Sequence, residues 1–430
     1  MFAVEGVNYS IVAPFFPLEA AQKETGKTTV GIVISAYDVA TTLCSLALSN
    51  IIDHDNKLFI FLAGNLIGAV SVGVFGILTY SPPGAQFYLS ALALRFVSGM
   101  GSGMVWSAGY PFLVSINYAW NSIVVTAMEI ALSLGIAFGP SIGSILYSIG
   151  KFQLPFYVIG SVEFLAMVLF TFLMSSRAPH QNDTKEKPNI KLFLKFLLHP
   201  AIFAISLLLM CNSAMFAVMD TILSPYLLKK FRINQNSNGF LFSVLAVGYL
   251  SAAVFGPFVS KGFGTYIFVL GAIFSMTGTL IFVLQEWIDF LVNIPVVIIA
   301  LFLIGIGVCT SCIPSYVLVE NISMNYKVMS LKNTKLVTSI WTACIFSLGR
   351  VYGAAVIGGL IYGNFGMATT FRSSLIVQFC IFIINILLLS IGGYFKKIYY
   401  SVPDDVKIAF HRSIVISKST KEERVHLIKD

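Results

Sequence analysis

The chain has 430 residues, of which 57% are hydrophobic and only 11% charged, with a mean hydropathy of +0.86. Soluble domains carry about 25% charged residues, so this composition could not cover a soluble surface. The formal charge of +8 does not point to nucleic acid, because the basic residues sit in loops and a tail between apolar runs, with no basic, aromatic-interleaved soluble segment.

Apolar runs long enough to cross hydrocarbon, ~20 residues each, lie near 1–16, 30–50, 58–80, 87–114, 123–147, 155–175, 199–226, 238–259, 265–285, 290–315, 336–362 and 372–394. The pattern predicts an all-α membrane protein of twelve spans in two six-helix halves, 1–175 and 199–394. A polar cytoplasmic linker, 176–198, joins them, and a charged cytoplasmic tail covers 395–430. The first run is short. As helix it reaches ~24 Å against a hydrocarbon core of ~30 Å, so the first helix reads as truncated. The first residues lack the basic n-region and separate apolar core of a signal peptide.

Loops after even-numbered spans, with the tail, hold 18 of the 27 Lys and Arg residues, and loops after odd-numbered spans hold 7. The positive-inside rule therefore places the even loops and both termini in the cytoplasm. The sequons at Asn8, Asn182 and Asn321 then fall in a span or in cytoplasmic loops, out of reach of glycosylation. All six cysteines lie in predicted spans. Cys309 and Cys312 lack the further ligands a zinc site needs, and read as small packing residues rather than part of a disulfide framework.

An internal repeat supports the two-half reading independently of hydropathy. Ser133-Leu134-Gly135-x-x-x-Gly139-Pro140-x-x-Gly143-Ser144-Ile145-Leu146-Tyr147 closes the fifth run. Ser347-Leu348-Gly349-x-x-x-Gly353, followed by Gly358-Gly359-Leu360-Ile361-Tyr362, closes the eleventh. Parallel six-span repeats are a transporter architecture. Small residues also recur in membrane helices simply because they let helices approach, but the shared pattern is longer than that requires. In the second copy Ala354 replaces proline, and Arg350 stands where Ile136 stands in the first.

An ionisable residue at mid-span costs ~2.5–3.5 kcal/mol on insertion scales, so each is a functional candidate unless it pairs or snorkels. Asp38, Glu129 and Asp220 are the candidates for binding substrate or protons. Asp220 precedes Pro225, which removes a helix hydrogen bond, although a position near the lumenal end could simply be hydrated. Glu129 has apolar neighbours, and desolvation there penalises a fixed charge, a condition that suits a proton carrier. Arg95 stays charged and needs an acid or backbone carbonyls, with Glu129 one candidate mate. Arg95 and Arg350 are assigned to proton coupling or charge pairing, whereas Glu163 and Glu5 carry less weight.

These segments resemble the major facilitator superfamily. Asn50-Ile51-Ile52-Asp53-His54-Asp55-Asn56-Lys57 looks like a degraded form of the loop motif between the second and third helices, lacking its glycines. Arg95 with Gly99 and Gly101 resembles the fourth-helix motif linked to proton coupling. Gly135, Gly139, Pro140 and Gly143 resemble the fifth-helix antiporter motif. Within the superfamily the chain looks like the vesicular amine transporters, nearest the polyamine branch, through residues 13–20, 129–147, 219–225 and 339–343.

The resemblance implies a major facilitator fold and proton-coupled exchange of a small organic cation, a polyamine or monoamine, across an acidic vesicle membrane. It assigns conformational roles to Asp53, Lys57, Gly99, Gly101, Gly135, Gly139, Pro140, Gly143, Gly353, Gly358 and Gly359. The expected partners are the cation, protons and membrane lipids, with no nucleic acid and a monomeric state. No Ser/His/Asp constellation, metal set or phosphate loop is legible, so neither an enzyme nor a cofactor is expected. A multidrug or other small-solute facilitator is the alternative, and a transport-inactive sensor or partner-binding member is a third reading, motivated by the short first helix and eroded loop motif.

Overall fold

The computed structural model describes residues 1–48, 51–52, 56–116, 121–174, 197–233, 235–263, 266–325 and 331–391. Residues 176–196 of the expected linker, the tail, Asp53 and the connections between several spans lie outside the described residues. Lipid offers no partner for a free N–H or C=O, so an apolar run of spanning length closes its hydrogen bonds within itself as a helix.

The first run departs from its predicted form. Helix α1 (Phe2–Ser10) stops, a turn covers 11–15, and α2 (Phe16–Gln22) follows. Two prolines explain the break. Pro14 has no N–H and disfavours helical backbone at the residue before it, while Pro17 suits the first turn of a new helix.

The remaining runs form α3 (Lys27–Leu48), α4 (Lys57–Phe75), α5 (Ala85–Ile116), α6 (Asn121–Gly150) and α7 (Gln153–Met174) in the first half. The second half holds α8 (Pro200–Phe231), α9 (Gln235–Phe263), α10 (Tyr266–Leu284) and α11 (Ile294–Asn325). It ends with α12 (Leu331–Val351), a π-helical segment (Tyr352–Ile361) and α13 (Tyr362–Ile391). Where a loop was expected between 362 and 372, the chain turns at a single residue, Gly366 (φ 83°), a backbone angle that glycine adopts without steric cost.

Among the described residues, nine segments are long and apolar enough to cross a membrane, and one of them, Ile340–Ser390, contains two expected spans. The first and fourth expected spans are not among the nine. The first is interrupted by its turn, and α5, though 32 residues long, is rich in Ser and Gly.

The two copies of the repeat perform equivalent packing jobs. In the first, a side chain at Gly135 would strike the carbonyl of Ala3, and one at Gly139 would strike Ser10. These glycines seat α6 on α1, the first helix of its half. In the second, Gly349 and Gly353 abut the carbonyls of Met210 and Ala214, and Gly358 abuts Thr221. They seat α12 and the π segment on α8, the first helix of the other half.

Each repeat also closes the interface between halves. Gly239 of α9 lies on the carbonyl of Pro140, and Gly359 of the π segment lies against Thr28 and Gly31 of α3. Helix α8 occupies the centre and is buried along most of its length, whereas α7 is peripheral and largely uncovered.

Candidate functional site: a buried charge cluster between the halves

The close seating of α12 on α8, and of the π segment on α3, brings three charged side chains together. Arg350 Nε lies 2.8 Å from Asp38 Oδ1, and its Nη2 lies 3.1 Å from Asp220 Oδ2. Asp38 belongs to the first half, whereas Arg350 and Asp220 belong to the second, so the ion pair bridges them. Tyr9 of α1 donates a hydrogen bond to Asp220 Oδ2 at 2.5 Å. Its ring lies under the guanidinium, 4.3 Å away, and the rings of Phe216 and Phe346 stand at 5.6 and 6.0 Å.

All three charged residues are buried, with Arg350 and Asp38 2% exposed and Asp220 6% exposed. Charges removed from water in this way persist only when paired, and deleting one partner typically costs ~3–5 kcal/mol. Pairing here is incomplete. Among the described residues, Asp38 Oδ2 and Arg350 Nη1 have no hydrogen-bond partner. The site therefore retains acceptor and donor capacity beside an aromatic face that favours cations.

A second polar network adjoins it in the first half. Tyr37 donates to Glu5 Oε1 at 3.0 Å, and the Arg95 guanidinium lies over the Tyr37 ring at 4.4 Å. The Tyr9 and Tyr37 rings are 5.7 Å apart, linking this network to the central ion pair. Asn8 donates to Glu163 Oε2 at 2.8 Å, and Glu163 Oε1 has no partner among the described residues. Gly68 leaves room for that carboxylate, since a Cβ there would come within 2.7 Å of Glu163 Oε1. Gly99 seats α5 on the carbonyl of Tyr37, and Gly101 seats it on the carbonyl of Gly64.

On the face carrying the loops after odd-numbered spans, the halves are joined directly. Ser224 donates to the carbonyl of Pro14 at 2.9 Å, and Asn238 donates to Ser224 at 2.8 Å. Gly239 N donates to Ser144 Oγ at 3.0 Å, Ser141 and Ser243 are 2.7 Å apart, and Thr28 donates to the carbonyl of Gly359 at 3.3 Å. Lys27 Nζ stands 4.8 Å from the Tyr362 ring centroid.

The structure gathers Asp38, Asp220 and Arg350, and leaves other expected residues apart or undescribed. Asp53 and the side chain of Glu129 lie outside the described residues, although Glu129 falls on α6. Lys57 opens α4. Asp220 is buried rather than hydrated, and neither Pro225 nor Pro140 ends its helix. Arg95 stacks on Tyr37, and its Nε and Nη1 have no hydrogen-bond partner among the described residues.

Sequence reasoning underweighted Glu5 and Glu163 and gave no role to Tyr9, Tyr37 or Asn8. One signal was available. Asn8, Tyr9 and Glu5 fall within one helical turn of each other, which puts polar groups together on a short apolar helix. Among the described residues no group of three His, Cys, Asp or Glu side chains could hold a metal ion.

Two six-helix halves meeting at a buried, charge-lined interface are the architecture of a membrane transporter. The chain belongs to the Major Facilitator Superfamily, which matches residues 1–333. It is thus a multi-pass membrane protein of a transporter family rather than an enzyme family.

Among its relatives, the MFS-type transporter SLC18B1 of Rattus norvegicus is 28% identical over 256 residues, covering 59% of this chain and 55% of that protein. Multidrug resistance protein 2 of Bacillus subtilis is 22% identical over 265 residues, covering 59% and 64%. The chain thus spans little more than half the length of the SLC18B1 proteins it matches.

In fold it is similar to the nucleoside transporter NupG, with a TM-score of 0.63, 15% identity, and 90% and 97% of the two chains covered. It is also similar to a bacterial homologue of the human lysosomal transporter Spinster, with a TM-score of 0.62, 13% identity, and 92% and 93% covered.

Proposed function

We propose that the chain is a proton-coupled antiporter for a small organic amine, working by alternating access. The observation that carries this reading is the Arg350 guanidinium held between Asp38 and Asp220 on the Tyr9 ring. That arrangement is already a cation site, occupied by the protein's own cation. A substrate ammonium and a proton can each take the place of Arg350 on a carboxylate, and competition between them yields exchange. Because the ion pair spans the halves, releasing Asp38 from Arg350 would free them to rock about the site. One pH unit supplies ~1.36 kcal/mol per proton to drive the cycle.

The resemblance of residues 13–20, 129–147, 219–225 and 339–343 to the vesicular amine transporters favours an amine, a polyamine or monoamine, and with the positive-inside count the reading takes the chain as a monomer that loads an acidic vesicle, with both termini in the cytoplasm. On that topology the joined face is lumenal. The test is uptake of radiolabelled spermine and of a monoamine into acid-inside proteoliposomes. Uptake that collapses with the pH gradient and is lost in Asp220→Asn and Asp38→Asn is the expected result. Absence of uptake by a folded protein would refute the amine assignment, and unchanged coupling in both variants would refute the site.

A second reading, a multidrug or other small-solute facilitator, is favoured by the likeness to multidrug resistance protein 2 and by the three aromatic rings around Arg350. A panel of structurally unrelated cations separates the two.

A further inference from the structure

One buried acid of the first half, Glu163, takes no part in the charge cluster. It is fully buried on α7, where its Oε2 accepts a hydrogen bond from Asn8 Nδ2 of α1 at 2.8 Å. Two oxygens of this pair are left without a hydrogen-bond partner among the described residues, Glu163 Oε1 and Asn8 Oδ1. Both are closed off from solvent, so neither can turn to water. Helix α4 meets the pair with Gly68, which has no side chain to offer as a donor.

An ionised Glu163 does not account for this arrangement. A carboxylate is acceptor-only, and so is the amide oxygen, so the two left-over oxygens have no hydrogen to share. Exchanging the O and N of the amide does not help, since Oδ1 would then face Oε2. The charge is also uncompensated. Among the described residues no cation forms an ion pair with Glu163, and the Arg350 guanidinium is taken by Asp38 and Asp220. The charged groups that face Glu163 are Glu5 and the Met1 amino group, both on the α1 side. Glu5 is an acid that already accepts from Tyr37. Helix α6 carries Glu129, whose side chain lies outside the described residues. A buried charge persists only when it is paired and hydrogen-bonded.

A single proton answers each of these points, because a protonated carboxyl is a donor as well as an acceptor. We infer that Glu163 is a proton-binding residue, held as the neutral acid in a ring of two hydrogen bonds with Asn8. Oε1–H donates to Asn8 Oδ1 while Oε2 goes on accepting from Nδ2. The O–H bond forms with a proton taken from water, and breaks by returning it. Asn8 is followed by Tyr9, whose hydroxyl donates to Asp220, and lies one helical turn from Glu5, which accepts from Tyr37. The proton thus pins α1 to α7 on the turn that also reaches α3 and the other half. The site stands independently of the transport reading, because it requires no change of charge at Asp38 or Asp220.

The test is infrared spectroscopy of the purified full chain at neutral pH in dodecyl maltoside, a detergent with no ester carbonyl to mask the acid band. The wild-type minus Glu163→Gln spectrum should hold the C=O stretch of a neutral carboxylic acid and no carboxylate stretch. In Asn8→Leu that C=O stretch should move to higher frequency, because the acid has lost both its acceptor and its donor. Glu163→Gln keeps two hydrogen bonds as an amide-to-amide ring and should melt with the wild type, whereas Glu163→Ala should melt lower. The Glu163 variants decide the matter alone if Asn8→Leu does not fold. Carboxylate stretches in place of the acid band overturn the proposal. So does a Glu163→Gln protein that fails to fold or melts with Glu163→Ala, or an acid band that stays in place in folded Asn8→Leu.

Discussion

The glycine-rich stretch ending α6 and the one ending α12 are two copies of one device that have diverged. Both seat a penultimate helix on the first helix of its own half, and both meet a helix of the other half. The first copy keeps Pro140 and remains α-helical to Gly150. The second has Ala354 there, becomes π-helical over Tyr352–Ile361, and carries Arg350 in place of Ile136. Glycines preserve the docking, since a side chain would strike backbone carbonyls at Gly135, Gly349 and Gly353 and the hydroxyls of Ser10 and Thr221 at Gly139 and Gly358. Positions that face the interface between halves are free to differ, and at one of them the protein has put a charge. The lesson is that packing symmetry and charge asymmetry can coexist in one motif, read from different faces of the same helix.

Five substitutions probe this contrast, from the largest expected effect downward. Arg350→Ile gives the second copy the residue of the first and strands Asp38 and Asp220. A loss of ~3–5 kcal/mol is expected, visible as a lowered melting temperature in detergent, and adding Asp38→Asn with Asp220→Asn should recover much of it. No change in Arg350→Ile would mean that the charge is not what separates the copies.

Ala354→Pro gives the second copy the proline of the first. It removes a backbone donor within the π segment and should cost ~3 kcal/mol, again read by melting; a stabilised protein would show that the π geometry is dispensable. Gly139→Ala and Gly353→Ala should each cost ~1–3 kcal/mol through overpacking, and to similar extents if the docking is equivalent. A cost in only one would break the equivalence. Ser224→Ala removes a hydrogen bond between the halves, to the carbonyl of Pro14. A loss of ~1 kcal/mol is expected, with faster exchange of nearby amides as the more sensitive readout.

Much of the fold was legible because the bilayer leaves few choices. Runs of apolar residues had to be helices, and the shared Gly spacing at Ser133 and Ser347 revealed the duplication. The turn over 11–15 was less legible. Pro14 and Pro17 were visible in the sequence, but hydropathy alone does not register a break inside an apolar run.

For the site, Asp38, Asp220 and Arg350 stood out singly as charges in apolar surroundings. Their association did not, because 312 residues separate Asp38 from Arg350 and 130 separate Asp220 from it. No periodicity reports contacts at that range. The aromatic cage was hidden for a different reason: in a chain with 37 Phe and 18 Tyr, nothing marks out the few that touch a guanidinium.

The guanidinium between the two carboxylates also bears on how the protein feels voltage. Asp38 and Asp220 alone would present two negative charges, but with Arg350 among them the trio carries one. A charge that crosses the full transmembrane field does electrical work of ~2.3 kcal/mol per 100 mV. Once a proton has released one acid from Arg350, the other acid and the guanidinium cancel, so the proton-loaded site changes sides with no net charge, whereas the same singly protonated pair without Arg350 would carry one. The substrate-free return step should accordingly depend only weakly on membrane potential, and a variant without Arg350 should return with a steeper voltage dependence.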